Sequence, residues 1–302
     1  MLCRGQITSV TVFAPAKLNL FLEVLGKRAD GYHELETLMV SVGLYDTLVL
    51  ADEPSGVLRL SCRDGGPRRA GTPPREMPEA GPENLVWRAA ELLKRTTGAP
   101  RGAQIELVKR IPLAAGLAGG SSDAAATLWG LNRLWNLGLS IAELKGLGAR
   151  LGSDIPFFLC STPAAICRGR GEAVEPLPLP GRFWFVIARP PSGLSTADVY
   201  RHCRPSSIGW SAGALAARLA RGQLSAAAGL FYNALQEPAE RLNADVTRLK
   251  AAFARQPFAG HVMSGSGTSY FGLCRSRRQG QQLGARLKAA RLGDVFVVSS
   301  RP

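Results

Sequence analysis

No stretch of this sequence offers an uninterrupted apolar run of about 18 residues, so no transmembrane helix is expected. Met1 to Val12 lacks a charged start followed by an apolar core and a small-residue cleavage site, and no secretory signal is read there. Metal and disulfide patterns are missing too. The six cysteines (Cys3, Cys62, Cys160, Cys167, Cys203, Cys274) include no C-x-x-C pair, and the three histidines do not fall at zinc-ligand spacing. They read as reduced thiols of a cytoplasmic protein. The G-x-x-x-x-G-K-[ST] phosphate loop and the G-x-G-x-x-G dinucleotide fingerprint are both absent. So is any internal repeat or low-complexity array. Acidic residues are scarce: Asp plus Glu is 23 against 37 Lys plus Arg, a net charge of +14. That balance points to anionic partners: a nucleic acid, a phosphorylated metabolite or an acidic membrane surface.

What is present is a globular composition, 46% hydrophobic and 20% charged over 302 residues. This length suggests two domains and can bury a core without disulfide or metal staples. Val10–Val24, interrupted by Pro15, and Ser41–Ala51 read as strands. Residues 61–82 are rich in Gly, Pro and Arg and read as a solvated, mobile loop. Asn84–Thr96 has helical spacing, and Gln104–Arg110 alternates as a strand. Ser121, Ser122 and Asp123 supply N-cap chemistry for a helix reaching about Asn136, and Ser140 with Glu143 forms a capping-box pattern. Ala164–Cys167 and Ala173–Leu177 read as the two strands of a hairpin, and Phe183–Ala188 is a compact apolar strand. Ala212–Leu219, Asn233–Ala254 and Arg277–Ala290 read as helices. His261–Met263, Ser269–Cys274 and Val295–Ser299 read as short strands. Strands and helices mixed without a βαβ rhythm indicate an α+β fold, with a boundary near residue 160.

Five segments carry candidate chemistry. Pro112-Leu-Ala-Ala-Gly-Leu-Ala-Gly-Gly-Ser-Ser122 is built of small residues before a helix. Such a loop lets a backbone approach a bulky anion, with N–H groups and the helix N-terminus facing it. Lys17 sits in an apolar strand, where an ammonium is costly unless it faces a site. Asp154, in Gly152-Ser-Asp-Ile-Pro, is either a turn residue or a carboxylate fit to take a proton from a hydroxyl. Met263-Ser-Gly-Ser-Gly-Thr268 is a second glycine-rich turn. Tyr32 and His33 follow the Asp30-Gly31 turn and offer a ring with a polar tip, suited to a nucleobase. A nucleic-acid-binding role would draw on the same positive charge, but no interleaved aromatic–basic strand motif accompanies it.

Taken in order, Pro15-Ala-Lys-Leu-Asn-Leu20, the Pro112–Ser122 loop and Met263–Thr268 resemble the superfamily of galactokinase, homoserine kinase, mevalonate kinase and phosphomevalonate kinase, the GHMP kinases. The longer run from Pro15 through Asp30-Gly-Tyr-His33 to Met39, with Gly152-Ser-Asp-Ile-Pro-Phe-Phe-Leu159, resembles the branch acting on 4-diphosphocytidyl-2-C-methyl-D-erythritol. The resemblance implies a two-domain α+β fold. Residues 1–160 would form an ATP-binding domain like ribosomal protein S5, with an insertion at about 61–82. Residues 161–302 would form a ferredoxin-like α/β sandwich, with the active site in the cleft. It implies phosphorylation of the substrate 2-hydroxyl by ATP in non-mevalonate isoprenoid synthesis, with Mg2+ accompanying ATP and no dedicated protein metal site. Asp154 would be the base and Lys17 its charged partner. Pro112, Leu113, Ala114, Ala115, Gly116, Leu117, Ala118, Gly119, Gly120, Ser121 and Ser122 would hold the ATP phosphates, and Lys109 and Asn84 would lie toward the adenosine. Asn19, Tyr32, His33 and Thr196 would form the substrate side. The expected partners are these two small molecules, with no nucleic acid or membrane, and the protein a monomer or weak homodimer. Ala114, Ala115 and Ala118 depart from the family loop, which commonly has glycine there; each added methyl restricts positive φ.

Overall fold

The computed structural model describes residues 8–66, 76–179, 181–205 and 208–300. Along the chain run β1 (Ser9–Lys27), β2 (His33–Glu53), β3 (Leu58–Asp64), α1 (Leu85–Thr97), β4 (Gly102–Lys109), α2 (Gly119–Leu134), α3 (Ile141–Leu151), α4 (Ile155–Leu159), β5 (Ala164–Gly169), β6 (Ala173–Leu177) and β7 (Trp184–Arg189). They are followed by α5 (Thr196–His202), α6 (Ala212–Ala220), α7 (Leu224–Ala228), β8 (Tyr232–Asn233), α8 (Gln236–Leu242), α9 (Ala244–Ala254), β9 (Gly260–Met263), β10 (Tyr270–Cys274), α10 (Arg277–Ala289) and β11 (Asp294–Ser299). The α+β expectation holds. No helix among the described residues is long and apolar enough to cross a membrane.

The chain forms two compact units, each made of three pieces. The first comprises Met1–Pro15, Leu44–Leu113 and Gly119–Ser161; the second comprises Ala16–Gly43, Ala114–Ala118 and Thr162–Pro302. Within the first, β3 pairs parallel with β4, and β4 pairs antiparallel with β2 from Thr47↔Val108 to Glu53↔Gly102. Alternation along these strands turns Leu48, Leu50, Ile105 and Leu107 to one face. There they meet Val86 and Leu93 of α1, Leu128 and Leu131 of α2 and Ile155 of α4 in one buried cluster. Each such side chain contributes about 1.5–3 kcal/mol by leaving water. Asn84 caps α1 by accepting from Val86 N at 2.9 Å, and the Ser140–Glu143 capping box of α3 is formed in both directions.

Within the second unit, β5 pairs antiparallel with β2 from Leu35↔Gly169 to Val40↔Ala164, and β6 with β5. β8 pairs parallel with β1 at Phe21↔Tyr232. A separate antiparallel sheet has the order β11-β7-β10-β9. Its cluster joins Val186, Ala188, Tyr270 and Met263 to Val246, Leu249 and Phe253 of α9 and to Leu283 and Leu287 of α10.

Several boundaries differ from the sequence expectation. The 61–82 loop loses its start to β3, because Leu58, Leu60 and Cys62 alternate inward against the first unit's core; residues 67–75 lie outside the described residues. The helix expected from Asn233 to Ala254 is two, α8 and α9, since extended Asn243 caps α9 by accepting from Asp245 N at 2.9 Å. Asn233 itself belongs to β8. α2 begins at Gly119, so Ser121 and Ser122 lie in its first turn and not at its cap.

Candidate active site

Lys17 is 4% exposed in the second unit's part of β1. Asn19, two residues on, faces the same side of the strand, and Lys17 Nζ donates to its Oδ1. The orientation of that amide is fixed from behind. Asn19 Nδ2 donates to Thr37 Oγ1 at 2.8 Å, and Thr37 Oγ1 spends its proton on Phe21 O at 2.5 Å. Thr37 therefore accepts, Asn19 must present its NH2 to it, and the amide oxygen is left for the ammonium. A buried lysine needs such a hydrogen-bonded acceptor.

The middle of the glycine-rich loop, Ala114–Ala118, belongs to the same unit. Ala115 O accepts from Ser269 N at 3.1 Å, Gly116 O from Ser264 Oγ at 3.0 Å and Leu117 O from Lys17 N at 3.1 Å. Three successive carbonyls thus point into the unit. In a trans peptide the next N–H points the opposite way. The amides of Gly116, Leu117 and Ala118 therefore turn outward as a row of donors. Positive φ alternates along the loop, at Ala114 (47°), Gly116 (71°) and Ala118 (54°). That alternation curls successive N–H groups into an anion-binding concavity. At Gly116 a Cβ would stand 2.0 Å from Ser264 O, so only glycine fits.

Ser264 opens the second glycine-rich turn and also accepts from Asn19 N at 3.3 Å, which ties loop, turn and lysine strand to one hydroxyl. Asn233 Nδ2 donates to both Met263 O and Gly265 O at 2.8 Å and holds the turn from the β8 side. Thr196, the first residue of α5, shares a hydroxyl–hydroxyl bond of 2.8 Å with Ser266.

Tyr32 and His33 stand at the β1–β2 turn, closed by Arg28 N on Tyr32 O at 2.8 Å, with Gly31 at φ +86°. Tyr32 is exposed and His33 is the first residue of β2. The Arg170 guanidinium lies 4.5 Å from the Tyr32 ring centroid, and the His33 and Tyr200 rings are 5.1 Å apart at 30°. Burial, with Lys27 nearby, pulls His33 below the ordinary imidazole range. It is therefore neutral at pH 7, with one nitrogen to donate and one to accept.

The first unit holds Asp154, Asn84, Lys109, Pro112, Leu113 and Gly119–Ser122. Asp154 occupies the N-cap position of α4, but its side chain makes no capping bond. Just before it, a Cβ on Gly152 would lie 3.9 Å from Ser121 Oγ, so the segment leading to Asp154 runs beside the first turn of α2. Lys109 is 5% exposed and paired twice: with Asp46 Oδ2, and with Asp123 Oδ2 at 2.7 Å. Asn84 Nδ2 reaches Cys62 Sγ at 3.8 Å, and the Cys62 thiol, pushed up by burial, feels both Asp123 and Lys109. Among the described residues no group of three or more His, Cys, Asp or Glu side chains is disposed to hold a metal ion.

The second unit therefore gathers Lys17, Asn19, Tyr32, His33, Thr196 and the loop middle, whereas Asp154 and the loop flanks belong to the first. Sequence reasoning missed Thr37, Asn233, Tyr200 and Asp46, and it singled out the Met263–Thr268 turn without a role for Ser264. Of the missed residues only Asp46 left a signal, as a carboxylate inside the apolar strand Leu44-Tyr-Asp-Thr-Leu48.

The model of the GHMP kinases N terminal domain matches residues 84–162, and that of the GHMP kinases C terminal domain matches 212–291. A 4-diphosphocytidyl-2-C-methyl-D-erythritol kinase from Symbiobacterium thermophilum is 45% identical over 276 residues, covering 90% of this chain and 93% of that protein. Its counterpart from Shouchella clausii is 41% identical, covering 87% and 85%. A crystal structure of 4-(cytidine 5'-diphospho)-2C-methyl-D-erythritol kinase superposes with a TM-score of 0.76 at 35% identity, over 97% of this chain and 100% of that one. A homoserine kinase from Cytophaga hutchinsonii shares the fold, with a TM-score of 0.73 at 21% identity, over 100% of this chain and 97% of that one.

Proposed function

The chain belongs to the GHMP kinase family, and from that premise we propose that it transfers the γ-phosphoryl group of ATP to the 2-hydroxyl of 4-diphosphocytidyl-2-C-methyl-D-erythritol, with Asp154 as base. Its kinship with kinases of that name supports the acceptor. The observation that carries the phosphoryl chemistry is the outward row of amides at Gly116, Leu117 and Ala118, on the same unit as the buried Lys17 ammonium. Donors fixed in advance stabilise charge as it moves onto phosphate oxygens, at no cost in reorganisation.

In the step itself Asp154 accepts the hydroxyl proton. The freed oxygen pair forms a bond to the γ-phosphorus, and the bond from phosphorus to the β–γ bridging oxygen breaks. ADP departs with that electron pair. Lys17 opposes the negative charge on the transferring group. Mg2+ enters as part of the nucleotide substrate, carried by phosphate oxygens and water. At the other end of the acceptor, neutral His33 suits the donor–acceptor edge of cytosine, and Tyr32 and Tyr200 offer ring faces. The net charge of +14 favours both polyanionic substrates.

Coupled detection of ADP, with and without the cytidylyl acceptor, tests the reading. ADP release that requires this acceptor, and fails with homoserine, mevalonate or phosphomevalonate, is the expected result. Asp154→Asn should lower kcat by about 10²–10⁴ and leave ATP affinity nearly unchanged. Near-full turnover in that variant removes Asp154 as base.

A further inference from the structure

The carboxylate of Asp46 has no place in the chemistry above, yet it is fully buried and every bond it makes leads toward the glycine-rich loop. Its Oδ1 accepts from the backbone of Arg110 and from Ile111 N at 2.9 Å, the two residues before Pro112. Its Oδ2 accepts from Lys109 Nζ. Lys109 in turn donates to Asp123 Oδ2 at 2.7 Å, near the start of α2, where the loop ends. Above the ammonium the backbone is close: a Cβ on Gly119 would stand 3.1 Å from Lys109 Nζ and 2.9 Å from Ile111 Cγ2. One side chain on β2 thus fixes the entry to the loop through two amides, and its exit through a shared lysine.

We propose that Asp46 is a positioning residue of the nucleotide site, setting both flanks of the glycine-rich loop through the Arg110–Ile111 backbone and the Lys109–Asp123 pair. The inference rests on the reading of Pro112–Ser122 as the ATP phosphate loop. Two further observations agree. Ser122 Oγ and Asp123 Oδ1 are buried without a hydrogen-bond partner among the described residues, so the exit flank has polar capacity left over. The cluster also sets two acidic side chains, Asp46 and Asp123, against the one Lys109 ammonium. A buried ionic cluster of this kind is a poor source of stability compared with apolar packing, so its value lies in the geometry it imposes.

The test is Asp46→Asn, which keeps the shape and an acceptor for the amides but removes the charge facing Lys109. Binding of a fluorescent ATP analogue to the unmodified protein comes first; no binding there sinks the phosphate-loop reading itself, separately from this inference. Given binding, the variant should show about a tenfold rise in both the analogue's Kd and the KM for ATP. The KM for the cytidylyl acceptor should stay within about twofold, and circular dichroism should stay native. A purely structural role would lower Tm and the active fraction without moving the nucleotide Kd, and a native-like variant with unchanged Kd overturns the proposal. A second measurement needs no variant: hydrogen exchange at the Arg110 and Ile111 amides should slow when the analogue binds, because coupled sites stabilise each other reciprocally. Exchange there that ignores the nucleotide overturns it as well.

Discussion

Ser264 donates its side-chain hydroxyl to the carbonyl of Gly116 at 3.0 Å, while its own backbone oxygen stands where a Cβ on Gly116 would be, at 2.0 Å. The two residues are 148 positions apart in sequence, and no substitution at Gly116 is small enough to keep both contacts. Gly116→Ala is expected to cost about 3 kcal/mol of stability, from the clash and from positive φ together, and to weaken ATP binding. Urea unfolding and nucleotide titration measure the two effects; a variant with wild-type midpoint and affinity contradicts the packing described.

The alanines that replace glycine in this loop do not share one fate. Ala114 and Ala118 are left-handed, whereas Ala115 is not. Left-handed backbone costs an alanine roughly 1–2 kcal/mol, offset in part by the greater freedom glycine has in the unfolded chain. Ala118→Gly should therefore stabilise the protein by up to about 1 kcal/mol, and Ala115→Gly should destabilise it slightly. Thermal melts of the two variants read out the opposite signs.

His33→Ala and Tyr200→Ala should each raise the acceptor KM by about tenfold, near 1.4 kcal/mol, with the KM for ATP unchanged. Because burial and Lys27 pull His33 below the ordinary imidazole range, acceptor binding by the wild type should be level above about pH 7 and weaken only as the pH falls beneath that range and the ring protonates. Steady-state kinetics across pH 5.5–8 would reveal a different dependence.

Asp123 is pushed up to about 8, first by burial and then by the charge of Asp46, with Lys109 opposing both. Between the ordinary carboxylate range and that value the folded chain holds a proton that the unfolded chain releases. Stability should fall as pH rises through this window, by at most about 1.4 kcal/mol per pH unit. Asp123→Asn still accepts from Lys109 but carries no proton to lose, so its stability should be flatter from pH 5 to 8. Parallel wild-type and variant curves would contradict this.

The fold was largely readable because its signals are local. The apolar stripe after Asn84, the Ser140–Glu143 box and the Gly-rich hairpin turn at 169–171 all produced elements close to where their residues pointed. Asn243 hid the break between α8 and α9, since an asparagine inside an otherwise helical pattern reads as an exposed residue until its cap is seen. The site was legible in its motifs and not in its supports. Thr37 and Ser264 orient Asn19 and Gly116 through contacts 18 and 148 positions apart, and neither a lone threonine nor a serine within a glycine-rich turn carries a mark of that distance. Tyr200 was unreadable for the same reason: only the approach of α5 to β2 sets its ring against His33.

The threading of the chain bears on how the protein is made. Ala16–Gly43 carry Lys17 and leave the ribosome ahead of the rest of their compact unit, which is built from Ala114–Ala118 and Thr162–Pro302. Leu22, Val24 and Leu35 must wait for Val186, Val246 and Tyr270 before their apolar faces are covered. A nascent chain stalled before Thr162 therefore shows the cell a greasy β-ribbon without Val186, Val246 or Tyr270 to lie against, a natural target for holdase chaperones during synthesis.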